Sequence, residues 1–381
     1  MIPDLRLTGA KVLRPGGLSD APLSLANGRV ADAGGREIDL SGYLVLPGIV
    51  DAHGDAFEKH LAPRRGAMKD LDQGLLAAEA EVAANGITTA TLAQFYSWEG
   101  GMRGADFAHR VFAALDEVRP RLGTDLRVQL RFELSMVNDY DAVADMVDHF
   151  AIPYLVFNDH LPHVALAMGK RPPRLTGQAL RIGKNPEKHL ADLQALYAGL
   201  AAVPAALDCL IPRLAARGVL LGSHDDRSRD DRAGWRARGV RVAEFPETLE
   251  AAEAAKADGD PVVLGAPNLV RGGSHKGNVS ALDLVAMGLC DALASDYHYP
   301  STRRAAFLLA DAGVLPFEGA WGLIADGPAR MLGLKDRGRL EPGMRADVVV
   351  LDEVSRDICA TFAGGQVTYM KGDVAARFLA R

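Results

Sequence analysis

The chain has 381 residues, 48% of them hydrophobic, and a net charge of −6 from 43 basic and 49 acidic side chains. That length exceeds one small domain and that composition builds a large core, while the acidic balance argues against broad nucleic-acid binding. No run of about eighteen uncharged apolar residues occurs, and Met1–Leu13 lacks the apolar segment of a secretion signal. A protein of the cytoplasm with no membrane partner is therefore expected. Cys209, Cys290 and Cys359 are scattered without CxxC spacing and read as reduced core residues.

In chain order, the N-terminal segment holds short strand-like pieces parted by turns at Pro15-Gly16-Gly17, Asn27-Gly28 and Gly34-Gly35. Apolar runs then predict eight strands: Leu44–Asp51, Thr88–Ala93, Leu126–Leu134, Ile152–Asn158, Gly218–Leu221, Val240–Ala243, Pro261–Leu264 and Asp291–Ala294. They alternate with helical patterns at Gln73–Ala84, Leu190–Ala201, Thr248–Ala257 and Ser280–Met287. Eight strand–helix units predict an α/β fold, a (β/α)8 TIM barrel over residues 46–337. The C-terminal segment returns to short strands around Ala346–Leu351, with turns at Pro342-Gly343 and Gly364-Gly365. Residues 1–45 and 338–381 are expected to pair as one small β-sandwich, since chain termini often lie close together.

Chemistry in such a barrel sits where its strands end. The first predicted strand runs into His53-Gly54-Asp55, the third ends at Glu133, and the fourth leads to Asp159-His160. The fifth leads to His224-Asp225-Asp226 and the eighth to Ser295-Asp296. One histidine alone is more often a hydrogen-bonded structural residue, but imidazoles and carboxylates gathered at several strand ends are what divalent metal ions require. The spacing His53-x-Asp55 lets both side chains leave an extended segment on the same side. His109, His149 and His189 lie in charged helical stretches and are expected to face solvent; His60, His163, His275 and His298 lie in loops near the site residues.

A second signal is cationic. Lys170, Arg171, Arg174, Arg181, Lys184 and Lys188 follow the fourth strand with Glu187 the one acid among them, in what reads as a long βα loop over 160–188, a lid or binding loop. Lys59, Arg64 and Arg65 follow the first strand, and Arg271 and Lys276 the seventh. Cations from separate loops suit a polyanionic substrate such as a phosphate ester. The glycine-rich stretch from Val270 to Asn278, before a helix, suits an anion as well.

Leu46-Pro47-Gly48-Ile49-Val50-Asp51-Ala52-His53 resembles the first-strand signature of the amidohydrolase superfamily, and Leu340-Glu341-Pro342-Gly343-Met344-Arg345-Ala346-Asp347 resembles its return to the sandwich. Glu58-Lys59-His60, Ser223-His224-Asp225-Asp226, Gly265-Ala266-Pro267-Asn268, Arg271-Gly272-Gly273-Ser274-His275 and Ser295-Asp296-Tyr297 are similar to the PhnM family within it. The resemblance implies two divalent ions, zinc or else manganese, iron or nickel, held by His53, Asp55, Glu133, His160, His224 and Asp296. It implies substrate contacts from Lys59, His60, Arg64, Asn268, Arg271, Ser274 and His275, and a homo-oligomer. The superfamily's bridging residue and two histidines usually follow strands four, five and six, one later than Glu133, His160 and His224 here. Arg65, Lys276 and His298 depart from the family pattern.

The activity that the resemblance implies is diphosphatase hydrolysis of alpha-D-ribose 1-methylphosphonate 5-triphosphate, a phosphonate of the carbon–phosphorus lyase pathway. Pyrophosphate would leave after a metal-activated hydroxide attacks the α-phosphorus, with Asp296 accepting the proton. The alternatives are hydrolysis of an amide or cyclic amide, and an inactive, metal-poor binding protein.

Overall fold

The computed structural model describes residues 4–62, 70–272 and 279–380. The chain forms two compact units, one of Met1–Leu92, Glu117–Arg127 and Pro261–Arg381, the other of Ala93–Asp116 and Val128–Asp260.

Both chain ends fold within the first unit. Leu5–Thr8 runs antiparallel to Leu23–Ala26 and parallel to Arg36–Asp39 in a four-stranded sheet. A six-stranded sheet joins the termini at its centre, where Val348–Asp352 lies antiparallel to Tyr43–Pro47, Val348 opposite Pro47 and Asp352 opposite Tyr43. Alternation puts Leu5 and Leu7 on the inner face of one sheet. They share a core with Leu23, Leu25 and Ile38 and with Val45, Val348, Val350 and Phe362 of the other sheet. This is the small sandwich expected from the turn-rich ends.

All eight predicted barrel strands form one parallel sheet in sequence order. They are β1 (Ile49–Gly54), β2 (Ile87–Tyr96), β3 (Asp125–Glu133), β4 (Tyr154–Asn158), β5 (Leu220–His224), β6 (Val242–Glu244), β7 (Val262–Gly265) and β8 (Ala292–Ala294). The run Leu44–Asp51, expected as one strand, is divided at Pro47-Gly48 between the sandwich and β1. A side-chain carbon at Gly48 would lie 2.4 Å from Thr88 Oγ1, so only glycine allows this close crossing. β1 and β2 are buried along their whole length, as strands covered on both faces are. A parallel bridge from Gly54 to Asp296 joins the end of β1 to the end of β8.

The helices follow their caps. Asp70 accepts from the backbone of Asp72 and Gln73 to start Leu71–Ala84. Thr248 and Ser280, expected as first helical residues, serve instead as N-caps of Leu249–Ala257 and Ala281–Ala286. The expected long loop after β4 is largely helical, with His163–Ala167, Leu175–Arg181 and, capped by Asn185, Pro186–Gly199. Its short apolar runs between prolines and glycines hide that periodicity. The run Pro186–Ala216 has a mean hydropathy of 1.6 in its most apolar 18-residue window, long and apolar enough by composition to cross a membrane. Asp192 and Asp208 interrupt the run, so it holds no long uncharged stretch.

The Asp51 carboxylate accepts from Ser295 N at 2.8 Å and Ser295 Oγ at 2.5 Å, tying β1 to the residue after β8. Asp51→Ala leaves two buried donors unpaired and should lower stability by about 2–4 kcal/mol, read as a shifted midpoint in urea unfolding.

Candidate metal site

In the first unit, His53, Asp55 and Asp296 each offer a ligand atom within 4.8 Å of the others. Backbone bonds at the ends of β1 and β8 bring them together: Asp296 N donates to His53 O at 3.0 Å and Asp55 N to Asp296 O at 2.9 Å. Gly54 between the two ligands is required by space, because a side-chain carbon there would lie 2.7 Å from Asp51 Oδ2 and 2.9 Å from Ser295 Oγ. His53 is fully buried. Burial pushes the Asp51 carboxyl up to about 6, against the opposing pull of its Ser295 hydrogen bonds and of His53.

In the second unit a parallel arrangement ends β3, β4 and β5. His160, His224 and Asp225 lie within the same 4.8 Å limit. Each histidine is held by a buried carboxylate. Glu133 bonds the His160 ring at Nδ1 and accepts from His160 N at 3.0 Å. Glu244 Oε2 meets His224 Nδ1 at 2.8 Å. Burial works to raise the Glu133 carboxyl, but the His160 bonds and charge prevail and hold it below its ordinary value. The His224 imidazole is pushed down, by burial first and also by Arg131. Arg131 lies 3.9 Å over the Phe95 ring and 3.1 Å from His224 Nε2.

Two residues of these arrangements lie outside the predicted site residues, Asp225 and Glu244. Asp225 stands in the second group, and Glu133 meets the His160 ring. Glu244 ends β6 and also accepts from Gln129 Nε2 at 2.7 Å. The predicted strand Val240–Ala243 stopped one residue short of it, and the strand-end rule already applied to Glu133 would have included it. Asp225, Phe245 and Asp296 all adopt left-handed backbone, with φ of 60°, 55° and 53°. Strain of this kind in non-glycine residues gathers at functional strand ends.

Eight strands account for the whole sheet, so Glu133, His160 and His224 do belong to strands three, four and five.

The expected substrate residues separate. Lys59 and His60 both bind Glu81, at 2.7 and 2.5 Å. Arg271 donates to Tyr297 Oη at 2.8 Å and to Asn268 Oδ1 at 3.4 Å. A side-chain carbon at Gly265 would lie 3.7 Å from Asn268 Nδ2 and 3.9 Å from Asp296 Oδ2, so both side chains border the same glycine. Arg64, Ser274 and His275, with Arg65 and Lys276, lie outside the described residues. His298 is exposed, and so are His109 and His149, whereas His189 is buried against Trp98 and corrects the expectation for it. The reason is tertiary: the helix that carries His189 sets its ring against Trp98, which follows β2 by two residues.

A cavity of about 850 Å³ opens in the second unit between His224 and Asp225 on one side and Lys170, Arg171 and Arg227 on others. Arg171 pairs with Glu187 and Arg227 with Glu247, both at 2.5 Å, while Lys170 makes no ion pair among the described residues. Of the cations after β4, Lys170 and Arg171 line this cavity together with His224 and Asp225.

Histidines and carboxylates at the ends of an eight-stranded parallel sheet, in a chain whose termini form a sandwich, define the class of metal-dependent hydrolases with the amidohydrolase fold. Solved structures share it. A 5-methylcytosine deaminase of Klebsiella pneumoniae matches with a TM-score of 0.63 at 13% identity, covering 96% of this chain and 98% of that one. An N-acetylglucosamine-6-phosphate deacetylase of Thermotoga maritima matches with a TM-score of 0.61 at 14% identity, covering 96% and 100%. No family model matches the chain. Over 319 residues, however, it is 31% identical to the alpha-D-ribose 1-methylphosphonate 5-triphosphate diphosphatase of Escherichia coli (strain K12), across 82% of this chain and 84% of that protein. The chain belongs to that diphosphatase family, the PhnM family.

Carboxylates that orient a ligand histidine usually govern metal affinity. Glu244→Gln should weaken binding of a divalent ion about 10- to 100-fold with the fold intact, measured by competition with a chromogenic chelator.

Proposed function

We propose that this chain hydrolyses alpha-D-ribose 1-methylphosphonate 5-triphosphate to the 5-phosphate and pyrophosphate. The observation that carries the reading is the 31% identity over 82% of the chain to a diphosphatase named for that substrate. Likeness to deacetylases and deaminases at 13–14% identity bears on the fold alone.

In this reading His53, Asp55 and Asp296 hold one divalent ion, and His160, His224 and Asp225 a second, with Glu133 and Glu244 orienting the two histidines of the latter group. The donors fit: imidazole nitrogen and carboxylate oxygen suit zinc, and also manganese, iron or nickel, and each group gathers three such atoms in one small volume. When bound, the ions supply a water acidified toward neutrality and positive charge beside the phosphate oxygens.

The chain's own groups do the rest. Asp296, held by two backbone bonds in a left-handed conformation, accepts the proton of the attacking water. Lys170, Arg171 and Arg227 oppose the charge that builds on the departing pyrophosphate, the main electrostatic demand of phosphoryl transfer. Asn268 donates to a phosphate oxygen, with Arg271 bonding its Oδ1 and so leaving the amide nitrogen free to face the substrate.

Pyrophosphate release from the ribosyl triphosphate, abolished by a chelator and restored by zinc or manganese, is the expected result. Turnover of a hydantoin or an N-acyl compound with no pyrophosphate would replace it with amide hydrolysis; a metal-free, inert protein would make the chain a binding protein. Asp296→Asn should cut kcat by about 10²- to 10⁴-fold, a loss that persists when the assay is saturated with the divalent ion. Lys170→Ala should raise KM for the triphosphate about three- to tenfold with a smaller change in kcat, in steady-state assays at low ionic strength.

A further inference from the structure

A second cavity of the second unit, of about 400 Å³, plays no part in the chemistry above. It is lined by Trp98, Ser135, Asn138, Lys184, His189 and Asp192. Trp98 follows the end of β2 by two residues and Ser135 follows Glu133 by two, while His189 comes from the helix Pro186–Gly199. Ser135 and His189 are 0% and 1% exposed and Trp98 is 9% exposed. Among the described residues, Trp98 Nε1, Ser135 Oγ and both ring nitrogens of His189 have no hydrogen-bond partner. A buried polar group without one costs about 1–3 kcal/mol, and native interiors tolerate few. Four such atoms, on three residues around one cavity, mark a place where a ligand supplies the bonds.

Their chemistry narrows the ligand. An indole N–H only donates, a serine hydroxyl does either, and a neutral imidazole donates once and accepts once. Burial, helped by Lys184, pushes His189 below its ordinary value, against the smaller pull of Asp192 and Glu99, so the ring is neutral at pH 7. Lys184 and Asp192 pair at 3.2 Å, which leaves the lining without net charge. An oxyanion accepts hydrogen bonds but has none to donate to the bare imidazole nitrogen, and finds no net positive charge here. A sugar diol matches every atom, since each hydroxyl both donates and accepts, and its carbons can lie against Leu193 and Leu196.

We propose that this cavity is a pentose subsite, in which Trp98, Ser135 and His189 hydrogen-bond the vicinal hydroxyls of the substrate's ribose. Ser135 sits in a turn closed by Met136 N donating to Glu133 O at 3.1 Å, and two residues span at most about 6–7 Å, so Ser135 lies within a ribosyl group's length of Glu133 and the His160 it holds. The proposal rests on the ribosyl substrate assigned above.

The test uses the intact enzyme with ribose 5-phosphate and 2-deoxyribose 5-phosphate as calorimetric probes. The wild type should bind the deoxy sugar about tenfold more weakly, the effect of one lost hydrogen-bonding hydroxyl. Trp98→Phe and Ser135→Ala, which nearly conserve volume and whose folding is checked by thermal unfolding, should bring that ratio close to one. His189→Gln, a polar ring replacement, should reduce it too. No discrimination by the wild type, or discrimination that survives in folded Trp98→Phe and Ser135→Ala proteins, overturns the subsite. Free D-ribose that binds through these residues without competing with ribose 5-phosphate overturns its assignment to the substrate. Failure of pyrophosphate release, with the discrimination present and lost in the variants, would instead sink the diphosphatase reading and keep the pentose site.

Discussion

Asp51 accepts two hydrogen bonds from Ser295, on the backbone and on the hydroxyl, and this pair sets the register at which the first and last barrel strands meet. A carboxylate buried completely is costly, and here its proton affinity rises accordingly. The return is positional. One residue further along, the backbone of His53, Asp55 and Asp296 interlocks, and three candidate ligands share one small volume. A slip of one residue would turn every side chain of β1 to the opposite face. The glycine between His53 and Asp55 belongs to the same constraint, because the Asp51–Ser295 pair occupies the space a side chain would need.

The second unit reaches a comparable end by another route. Its histidines are steered by carboxylates beneath them, Glu133 under His160 and Glu244 under His224. Such partners fix which nitrogen faces outward and make it a better donor to a metal. Glu244 is itself held by Gln129 Nε2, and Arg131 is spread over Phe95, so the carboxylates and cation beneath the two histidines are each anchored. A buried polar network of this kind is stable when its members are satisfied.

The segment after β4 shapes two cavities with contrasting character. Lys170 and Arg171 bring cations toward His224 and Asp225, while the helix Pro186–Gly199 supplies Glu187 to Arg171 and His189 and Asp192 to the neutral cavity beside Ser135. Beneath the helices, Trp98, Leu161, Leu166, Leu175 and Leu193 form a small core, which orders the segment by burial rather than by local propensity.

The sequence by itself determined the eight strands, the pairing of the two ends and the strand-end residues His53, Asp55, His160, His224 and Asp296. Those signals are local: apolar runs, turn residues, and polar residues where an apolar run stops. What it left to the tertiary structure depends on distant partners. Asp225 joins the two histidines where its backbone turns left-handed after β5, and Glu133 reaches the His160 ring. Glu244 gains its role from a histidine twenty residues away in sequence. Lys59 and His60 are drawn to Glu81, and His189 is buried by a helix whose periodicity is broken up by short, proline-bounded segments. A strand's period of two residues is written along the chain; which carboxylate a histidine meets is decided only when the strands are set side by side.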